Sequence, residues 1–496
     1  MPVISTLLTL CSLLFQDAVR APRHAEKPAR LLIRNAMVVK GNGNPPAGPT
    51  NVLVEKGVIA DIGASAGEGD KKPDAVIDGT GKWVLPGFVC THTHLHDERA
   101  GIPIEHDYQL RLWLSCGITT IRETGSVLTK HVPLRRQSRE GELIAPRMFL
   151  YTIPPGARTP EEAREKVRAA KTGGADGLKL FGMDRDLLEA VMDEAHKQGL
   201  RTTVHIGIEE VTAWDFADLG VTSIEHWYGI PNAALRGVQK FPPDFNAANE
   251  TDRFRWAGRL WRETDPERVD EVLRFLVDKR VAWSPTLSIY EANRDLRAAQ
   301  NRPWFKDYLH PALEEYFKPN LQNHGSYFIG WTNTDEVYWK ENYRIWMGAV
   351  KRFADLGGLV TTGEDAGYIW SMYGFGYLRE LELHEEAGFH PLEVIQHATV
   401  NGARVLGEEA RLGRVRAGYA ADLLVVNGNP VANLRVLYPT GTDFYVDGRS
   451  VAGGGIEWTI KDGHCYHVPT LMGEVRGIVA KARGKRAGAA SKESGK

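Results

Sequence analysis

The sequence predicts an α/β protein: a (β/α)8 TIM-like barrel with a small β-sandwich domain built from the N- and C-terminal segments. Two observations predict this fold class. Short apolar strands alternate with helix-like stretches through the middle of the chain, which is typical of parallel β/α units. Strand-like segments punctuated by Gly and Pro flank that region on both sides, as in antiparallel sheets. Eight β/α units in roughly 250–330 residues are enough to close a barrel.

The small β domain is predicted from two distant segments. The first reads LLIRNAMVV, NVLVEKGVIADIG and AVIDGTGKWVL, and the second reads ADLLVVNGNP, VLYPTGTDFYVDGRSV and HCYHVP. We expect these segments, 22–84 and 404–470, to pair into one discontinuous domain. The stretch 471–496 ends in a run of Lys, Arg, Gly and Ser, so we expect it to be a flexible tail.

The first residues contain the apolar run ISTLLTLCSLLF. A run of about twelve residues is too short to span a bilayer but suits the core of a signal peptide. We therefore predict a signal peptide over 1–21 and a periplasmic or secreted protein. The alternative is a misassigned start or an unstructured leader, which would leave the protein cytoplasmic. No other segment is apolar enough to predict a membrane span.

The barrel is predicted over 85–403 from eight successive strand-like stretches. In chain order they are PGFVCTHTH, GITTIRETG, LIAPRMFLYT, GLKLFG, RTTVHIG, SIEHWYG, RVAWSPTLSIY and LVTTGEDAG. Two long helical stretches rich in aromatic residues, 230–280 and 291–351, exceed a minimal barrel. We interpret them as an elaborated outer helical layer, with a wall or lid over the barrel mouth as the alternative.

The overall composition is ordinary for a globular protein, while a small-molecule substrate is predicted from the candidate site residues. The 496 residues are 43% hydrophobic and 25% charged, with a formal net charge of −2. That balance gives no reason to expect a nucleic-acid partner. The four cysteines show no CxxC spacing, so a disulfide framework is not expected. A homo-oligomer is compatible with the sequence but is not specified by it.

The chemistry is carried by polar residues at the predicted strand ends. His92 and His94 alternate in THTH, so both side chains would point to the same face of a strand. Taken singly, a histidine can be packing, a lysine can extend to solvent along its stem, and an aspartate can cap a helix. Jointly they predict a metal site, because imidazole and carboxylate are the ligands of zinc and similar ions. The further candidates at strand ends are Lys179, His205, His226 and Asp365.

Lys179 lies between apolar residues in GLKLF, which predicts burial. Burial disfavours the charged form of an amine and lowers its pKa. The neutral amine could add carbon dioxide and become a carbamate, an anionic donor that can bridge two cations. Four histidines, one carboxylate and such a bridge could hold two divalent ions, with Zn²⁺ as the expected metal, and could acidify a water between them.

These motifs resemble the amidohydrolase superfamily. The resemblance runs from about Leu31 to Arg449 and rests on PGFVCTHTH, GITTIRETG, GADGLKLF, TSIEHWYG, TTGEDAG and HATVNGARVLG…GRVRAGYAADLLVVNGNP. It is greatest with the imidazolonepropionase-like branch, which includes dipeptidases with a carboxylated lysine. The resemblance implies the following roles: His92, His94 and Asp365 as ligands of the more buried metal, His205 and His226 as ligands of the other, Lys179 as the carbamate bridge, and Asp365 also as the proton shuttle.

Two features depart from the pattern of the branch. Relatives often carry a second histidine two residues after the one on strand five, whereas Gly207 stands there in this chain. Imidazolonepropionases themselves use a single metal without the bridging lysine, so Lys179 argues against that activity.

The resemblance implies a metal-dependent amidohydrolase that cleaves a dipeptide or an N-acyl amino acid with a metal-bridging hydroxide. One alternative is hydrolysis of cyclic amides, lactones or other esters at the same site. A second alternative is a non-catalytic, metal-dependent binding protein on the same scaffold.

Substrate contacts are predicted at two positions. Tyr228 could bind the carbonyl oxygen or a carboxylate of the substrate, with core packing as the alternative. Arg122 could pair with a substrate carboxylate, or with a nearby acidic residue such as Glu123. His96 is expected to support its neighbours or face solvent, and the later histidines His384, His390 and His397 are expected to pack or to cap helices.

Overall fold

The computed structural model describes residues 20–207 and 211–494. The predicted signal peptide, 1–21, lies almost entirely outside the described residues, so export stays a prediction from the sequence. Within the described ranges, no helix combines the length and the apolar character that a membrane span requires.

The strands form a mixed sheet, a parallel barrel sheet and two small hairpins. Their bounds are β1 Arg30–Val38, β2 Ala47–Glu55, β3 Val58–Gly63, β4 Ala75–Asp78, β5 Lys82–Pro86, β6 Phe88–Thr93, β7 Glu98–Arg99, β8 Ile102–Pro103, β9 Ile118–Glu123, β10 Arg147–Thr152, β11 Gly177–Phe181, β12 Arg201–His205, β13 Ser223–Glu225, β14 Ala282–Ser284, β15 Leu423–Asn427, β16 Thr442–Val446, β17 Arg449–Gly453, β18 Ile456–Lys461 and β19 His464–His467.

The helices surround the barrel and extend its mouth. Their bounds are α1 His106–Ser115, α2 Leu128–Glu140, α3 Pro160–Thr172, α4 Arg185–Lys197, α5 Ala213–Asp218, α6 Ile230–Ala233, α7 Glu250–Ala257, α8 Leu260–Glu263, α9 Pro266–Asp278, α10 Glu291–Arg294, α11 Leu296–Gln300, α12 Phe305–Tyr308, α13 Pro311–Tyr316, α14 Asn333–Asp355, α15 Phe375–Glu386, α16 Pro391–Gln396, α17 Gly402–Leu406 and α18 Val468–Ser494, with 3-10 turns at Leu287–Tyr290 and Leu434–Leu437 and a π turn at His397–Asn401.

The mixed sheet joins the two ends of the described chain. Its strand order is β19-β18-β15-β5-β1-β2-β3, with β4 paired to β1. The C-terminal strand β15 lies antiparallel to the N-terminal strand β5, and Val425 is opposite Val84 in that register. Alternate apolar residues of these strands, including Leu31, Ile33, Val84, Leu423 and Val425, are buried together. This pairing is the one that the sequence predicts for the small domain.

The barrel sheet is parallel throughout, in the order β14-β13-β12-β11-β10-β9-β6. The eighth position is filled by residues 360–364, which hydrogen-bond to both neighbours. The amide of Thr361 donates to the Trp283 carbonyl at 3.0 Å, and the amide of Thr91 donates to the Thr362 carbonyl at 2.9 Å. The predicted fold class, a barrel of eight β/α units with a small β domain, is confirmed.

The seventh strand is shorter than its sequence suggested. We expected RVAWSPTLSIY to be one strand, but β14 ends at Ser284 and a 3-10 turn follows from Leu287. Pro285 has no N–H for a strand ladder, and Thr286 adopts a left-handed backbone with φ of 47°. The chain therefore turns into the barrel mouth where a longer strand was expected.

The C-terminal segment corrects the expectation of a flexible tail. Residues 468–494 form α18, which packs against α1. Leu471, Met472, Val475 and Val479 follow a helical spacing and are buried. The prediction weighed the basic residues of this segment and missed the apolar stripe that precedes them.

Val475→Asp should lower the free energy of unfolding by about 3 kcal/mol, because it buries an unpaired carboxylate against α1. Urea unfolding of the purified protein measures this change. Ala480→Asp is the matched control, since Ala480 is exposed on the same helix, and it should change stability by no more than about 0.5 kcal/mol. Equal effects of the two substitutions would show that α18 does not pack on the barrel.

Candidate metal centre

The metal ligands proposed from the sequence lie on a barrel strand or directly after one. His92 is on β6, Lys179 on β11 and His205 at the end of β12, while His226 directly follows β13. All of them, together with His94 and Asp365, line one cavity of about 660 Å³. The parallel strands bring these side chains together because their carboxyl ends meet at the same face of the barrel.

Asp365 lies in the middle of the histidines. Its Oδ1 is 3.5 Å from His92 Nε2 and 3.1 Å from His94 Nε2. Its Oδ2 is 3.6 Å from His226 Nε2. Ligand atoms of His92, His94 and Asp365 all lie within 4.8 Å of one another, close enough to bind a single ion.

The two remaining histidines complete a continuous surface of imidazoles. The His226 ring centroid is 4.8 Å from that of His92 and 4.6 Å from that of His205. His205 and His226 therefore lie on the side of the cavity away from His94. This arrangement offers a second set of nitrogen ligands beside the first.

Two of these residues have an unusual backbone. His226 and Asp365 adopt left-handed conformations, with φ of 58° and 47°. Asp and His tolerate this region better than most side chains, but it is still uncommon. Such conformations persist where the surroundings fix them, and they cluster at functional sites. The backbone at both strand ends is thus consistent with a functional role for the side chains that it presents.

Burial keeps the histidines in the form that binds metal. Loss of hydration lowers the pKa of His92, His205 and His226 well below its usual value. All three are therefore neutral at pH 7, and neutral imidazole is the metal-binding form. Burial alone would raise the pKa of Asp365, but the hydrogen bond from His94 and the charge of Lys179 hold it below its usual range, so Asp365 is an ionised carboxylate.

Hydrogen bonds on the far side of two rings fix their orientation. His92 donates from Nδ1 to Glu225 Oε2 at 2.6 Å. The Thr286 hydroxyl donates to the Pro285 carbonyl and so accepts from His226 Nδ1 at 2.5 Å. Both rings are left with Nε2 as the free acceptor, directed toward the cavity. A carboxylate or other acceptor behind a histidine is the usual support of a metal ligand.

Arg122 does not reach the cavity, which corrects its prediction as a substrate contact. Its guanidinium is fully buried beneath the histidines, where Nη2 pairs with Glu225 Oε1 at 2.5 Å and Nη1 donates to Ser223 Oγ at 2.9 Å. Burial would raise the pKa of Glu225, but Arg122 overcomes this and lowers it. Arg122 therefore balances the charge of the carboxylate that supports His92. The sequence reasoning missed Glu225, although an acidic residue directly before a candidate ligand was a usable signal.

Glu225→Gln should leave the Arg122 charge buried without a counterion and weaken the support of His92. We expect the free energy of unfolding to fall by about 3 kcal/mol and the affinity for zinc to fall by about 10–100-fold. Denaturant titration and competition with a chromophoric chelator measure the two effects. The control is Glu189→Gln, which removes a surface partner of Arg185 and should cost less than about 1 kcal/mol. A stable Glu225→Gln protein with unchanged affinity would contradict the supporting role.

Lys179 is a buried amine that faces the cavity. Its side chain lines the cavity with 2% of its surface exposed, and Nζ has no hydrogen-bond partner within the described ranges. Burial lowers its pKa to about 8, although Glu225 and Asp365 oppose the shift. A polar atom left unpaired in the interior is costly. The donor set and this unpaired amine thus fit a metal centre completed by a group bound at Lys179.

Tyr228 lies over His205. Its ring is stacked on the imidazole with centroids 5.4 Å apart and an interplanar angle of 25°. Its buried hydroxyl lies beside the Tyr290 hydroxyl, and burial raises its pKa. Gly207 also lines the cavity, which opens the space that a histidine at that position would occupy. The Tyr228 hydroxyl is thus available to a ligand in the cavity.

Histidines outside the proposed ligand set have other partners. His96 lines the cavity, but its two ring nitrogens contact the hydroxyls of Tyr373 at 2.5 Å and Tyr368 at 3.3 Å. His384 and His397 contact each other through Nδ1 at 3.1 Å in the buried region of α15. His390 caps α16 by accepting from the Leu392 amide. These positions agree with the packing and capping roles expected from the sequence.

The aromatic-rich insertions have both of the roles considered for them. Trp339 and Trp346 are fully buried in the outer helical layer. The same insertions also supply cavity walls through Glu250, Arg253, Phe254 and His324. The sequence did not single out these four residues, since no local pattern distinguishes a wall residue from other helical positions.

Known proteins share the fold and part of the sequence. The model of the amidohydrolase family matches residues 348–451. A putative prolidase from Bifidobacterium longum superposes with a TM-score of 0.62 at 22% identity, over 91% of this chain and 100% of that one. A Xaa-Pro dipeptidase with bound methionine gives a TM-score of 0.61 at 19% identity, over 88% and 100%. A bottromycin amidohydrolase gives 0.66 at 17% identity, over 92% of both chains.

A curated relative matches a shorter segment. It is a 5-methylthioadenosine/S-adenosylhomocysteine deaminase from Bacillus thuringiensis, 29% identical over 153 residues. The match spans 31% of this chain and 28% of the deaminase. Residues 348–451 thus resemble the amidohydrolase family, and the whole chain shares the fold of the solved amidohydrolase structures.

Proposed function

We propose that this protein is a metal-dependent hydrolase that cleaves the amide bond of a dipeptide or an N-acyl amino acid. The observation that carries the proposal is the gathering of neutral imidazoles, the Asp365 carboxylate and the unpartnered Lys179 amine in one cavity. Similar structures described as a dipeptidase, a prolidase and an amidohydrolase point to amide substrates.

The proposed site binds two divalent ions, with zinc as the expected metal. When bound, the ions would polarise the substrate carbonyl and lower the pKa of water. The residues that would hold them are His92, His94 and Asp365 for one ion, and His205 and His226 for the other, with Lys179 between them.

Lys179 is proposed to bind as a carbamate. The neutral amine attacks the carbon of carbon dioxide, a nitrogen–carbon bond forms, and one proton leaves to solvent. The product is an anion with two oxygens, which would remove the cost of burying the amine and would help to hold the ions. Its pKa of about 8 makes the neutral amine accessible near physiological pH.

Asp365 is proposed to move the proton during hydrolysis. Its ionised carboxylate can accept a proton from the attacking water and then deliver it to the leaving amine. The Tyr228 side chain lines the cavity, and its hydroxyl can donate to the carbonyl oxygen as negative charge develops there. His92 and His226 stay neutral and oriented because Glu225 and Thr286 hold their other nitrogens.

A substrate panel tests the proposed function. The protein is stripped with a chelator, reloaded with zinc, manganese or cobalt, and incubated with dipeptides, N-acyl amino acids, cyclic amides, lactones, esters and 5-methylthioadenosine. Mass spectrometry detects the products. We expect hydrolysis of linear amides that depends on metal. Turnover confined to lactones and esters would favour the alternative hydrolase, ammonia release from the nucleoside would favour a deaminase, and tight metal binding without any turnover would favour a binding protein.

A further inference from the structure

A charged group from the helical insertion faces the cavity beside the proposed metal centre. Arg253 lies on α7, within the insertion that follows β13, and its side chain lines the cavity with 36% of its surface exposed. We infer that Arg253 binds a carboxylate of the substrate. The proposed hydrolase would then act on amides whose leaving amino acid carries a free carboxylate. This inference rests on the proposed function and names the residue that would recognise the carboxylate of its substrates.

The neighbours of Arg253 orient its guanidinium but use only part of its hydrogen-bond donors. Arg253 Nη2 is 3.4 Å from Glu250 Oε1, and this is its ion pair within the described part of the chain. The other oxygen of Glu250 accepts from His324 Nδ1 at 3.0 Å. An arginine has five N–H donors in a fixed planar arrangement. Most of that donor capacity therefore remains for an anionic ligand, and a planar carboxylate is the group that it fits best.

Aromatic stacking holds the guanidinium in place. The guanidinium carbon of Arg253, Cζ, lies 4.9 Å from the Phe254 ring centroid. Phe254 in turn stacks on Tyr327 with centroids 4.2 Å apart and an interplanar angle of 10°. A side chain that is already ordered loses little entropy when it binds a ligand. This part of the cavity wall thus presents the positive charge of Arg253 at a defined position.

Another part of the cavity mouth carries exposed apolar side chains. Ile153 directly follows the third barrel strand, and Phe181 is the last residue of the fourth. Their side chains are 44% and 43% exposed and line the same cavity. Exposed apolar side chains at a cavity mouth favour an apolar ligand group. The cavity therefore suits a molecule with a carboxylate at one end and an apolar group at the other. Lactones and cyclic amides without a carboxylate lack the group that Arg253 would bind.

Glu250 offers the competing interpretation, in which the wall binds the ammonium group of a substrate. Its two oxygens already face donors, His324 and Arg253. A ligand ammonium would have to displace one of them, or approach beside the positive Arg253. The geometry therefore favours the carboxylate.

The test compares each linear amide of the panel with its C-terminal carboxamide, using wild type, Arg253→Gln and Arg253→Lys. A charged hydrogen bond to a carboxylate predicts a KM about 10–100-fold higher for the carboxamide in the wild type. Arg253→Gln should raise KM for the free acid by that factor and change KM for the carboxamide by less than about twofold. Arg253→Lys keeps the charge but not the planar geometry, so it should restore part of the preference.

A binding measurement gives a readout that does not depend on turnover. Calorimetric titration of the metal-loaded Asp365→Asn protein, whose turnover is expected to be too slow to interfere, with N-acetyl-L-leucine and N-acetyl-L-leucinamide should show tighter binding of the acid. The difference should disappear when Arg253→Gln is added to that variant. Arg262→Gln is the matched control. Arg262 belongs to the same insertion, pairs with Glu341 at 3.3 Å and lies outside the cavity, so its replacement should leave both ligands unaffected.

The outcomes separate this inference from the proposed function. Equal KM values for acid and amide in the wild type would overturn the inference while leaving amide hydrolysis intact. Equal losses for both substrates in Arg253→Gln would also overturn it, since they would indicate a structural role. Carboxylate binding that depends on Arg253 without any hydrolysis would support the inference and contradict the proposed function. The comparison of substrates in the wild type stays decisive if a variant fails to fold.

Discussion

Asp365→Asn is expected to lower kcat/KM for amide hydrolysis by about 10²–10⁴-fold, the range typical of a lost general acid–base group. The asparagine amide has nearly the same shape as the carboxylate, but it cannot take up a proton at neutral pH. Asp365 is also within 3.6 Å of Nε2 atoms on three histidines. No other carboxylate that the structure describes occupies that central position. Initial rates on the best panel substrate measure the loss.

Metal content must be measured on the same samples, because Asp365 is both a proposed ligand and the proposed proton carrier. The amide oxygen of asparagine can still coordinate, so we expect at least one ion per chain to remain by elemental analysis. Asp355→Asn is the control, since Asp355 pairs with Lys351 on the surface at the end of α14. A variant that keeps full metal and more than about a tenth of the wild-type rate would contradict the proton-transfer role.

The fold was predictable because its signals are local. The alternation of apolar strands with helices indicates parallel β/α units, and each strand has few alternatives once its neighbours are placed. The predictions from the sequence were wrong at two places where long-range packing overrides the local pattern. Thr286 turns the chain away from the expected seventh strand, and the apolar stripe through Val475 holds α18 on the barrel in place of a flexible tail.

The candidate site was likewise predictable only in part from the sequence. Convergence of residues such as His92, His205 and Asp365 follows from their positions at strand ends, which are visible in the sequence. Their supports and the substrate wall depend on contacts between distant parts of the chain. Arg122 and Glu225 are 103 residues apart, so nothing local shows that this arginine is already neutralised. Arg253 reaches the cavity only because an insertion folds back over the barrel mouth.

Lys179→Met should lower the zinc content of the purified protein from about two ions per chain to about one or none. Methionine has a similar length and packs well in an apolar site, so the cavity should keep its shape while it loses the bridging donor. Elemental analysis on protein purified without added chelator measures the stoichiometry. Intact mass under mild conditions should show added carbon dioxide on the wild type and none on the variant.

Lys461→Met is the matched control, because Lys461 is a second buried lysine far along the chain from the centre. Its Nζ donates to Ser138 and lies 3.7 Å from Asp462, so its loss should reduce stability without changing metal content. The contrast between the two lysines carries the argument: one amine has its partners in the folded chain, and the other has none among the described residues. If Lys179→Met bound as much zinc as the wild type, the carbamate would not be needed to hold the second ion, and Lys179 would be left as a costly buried amine without a proposed purpose.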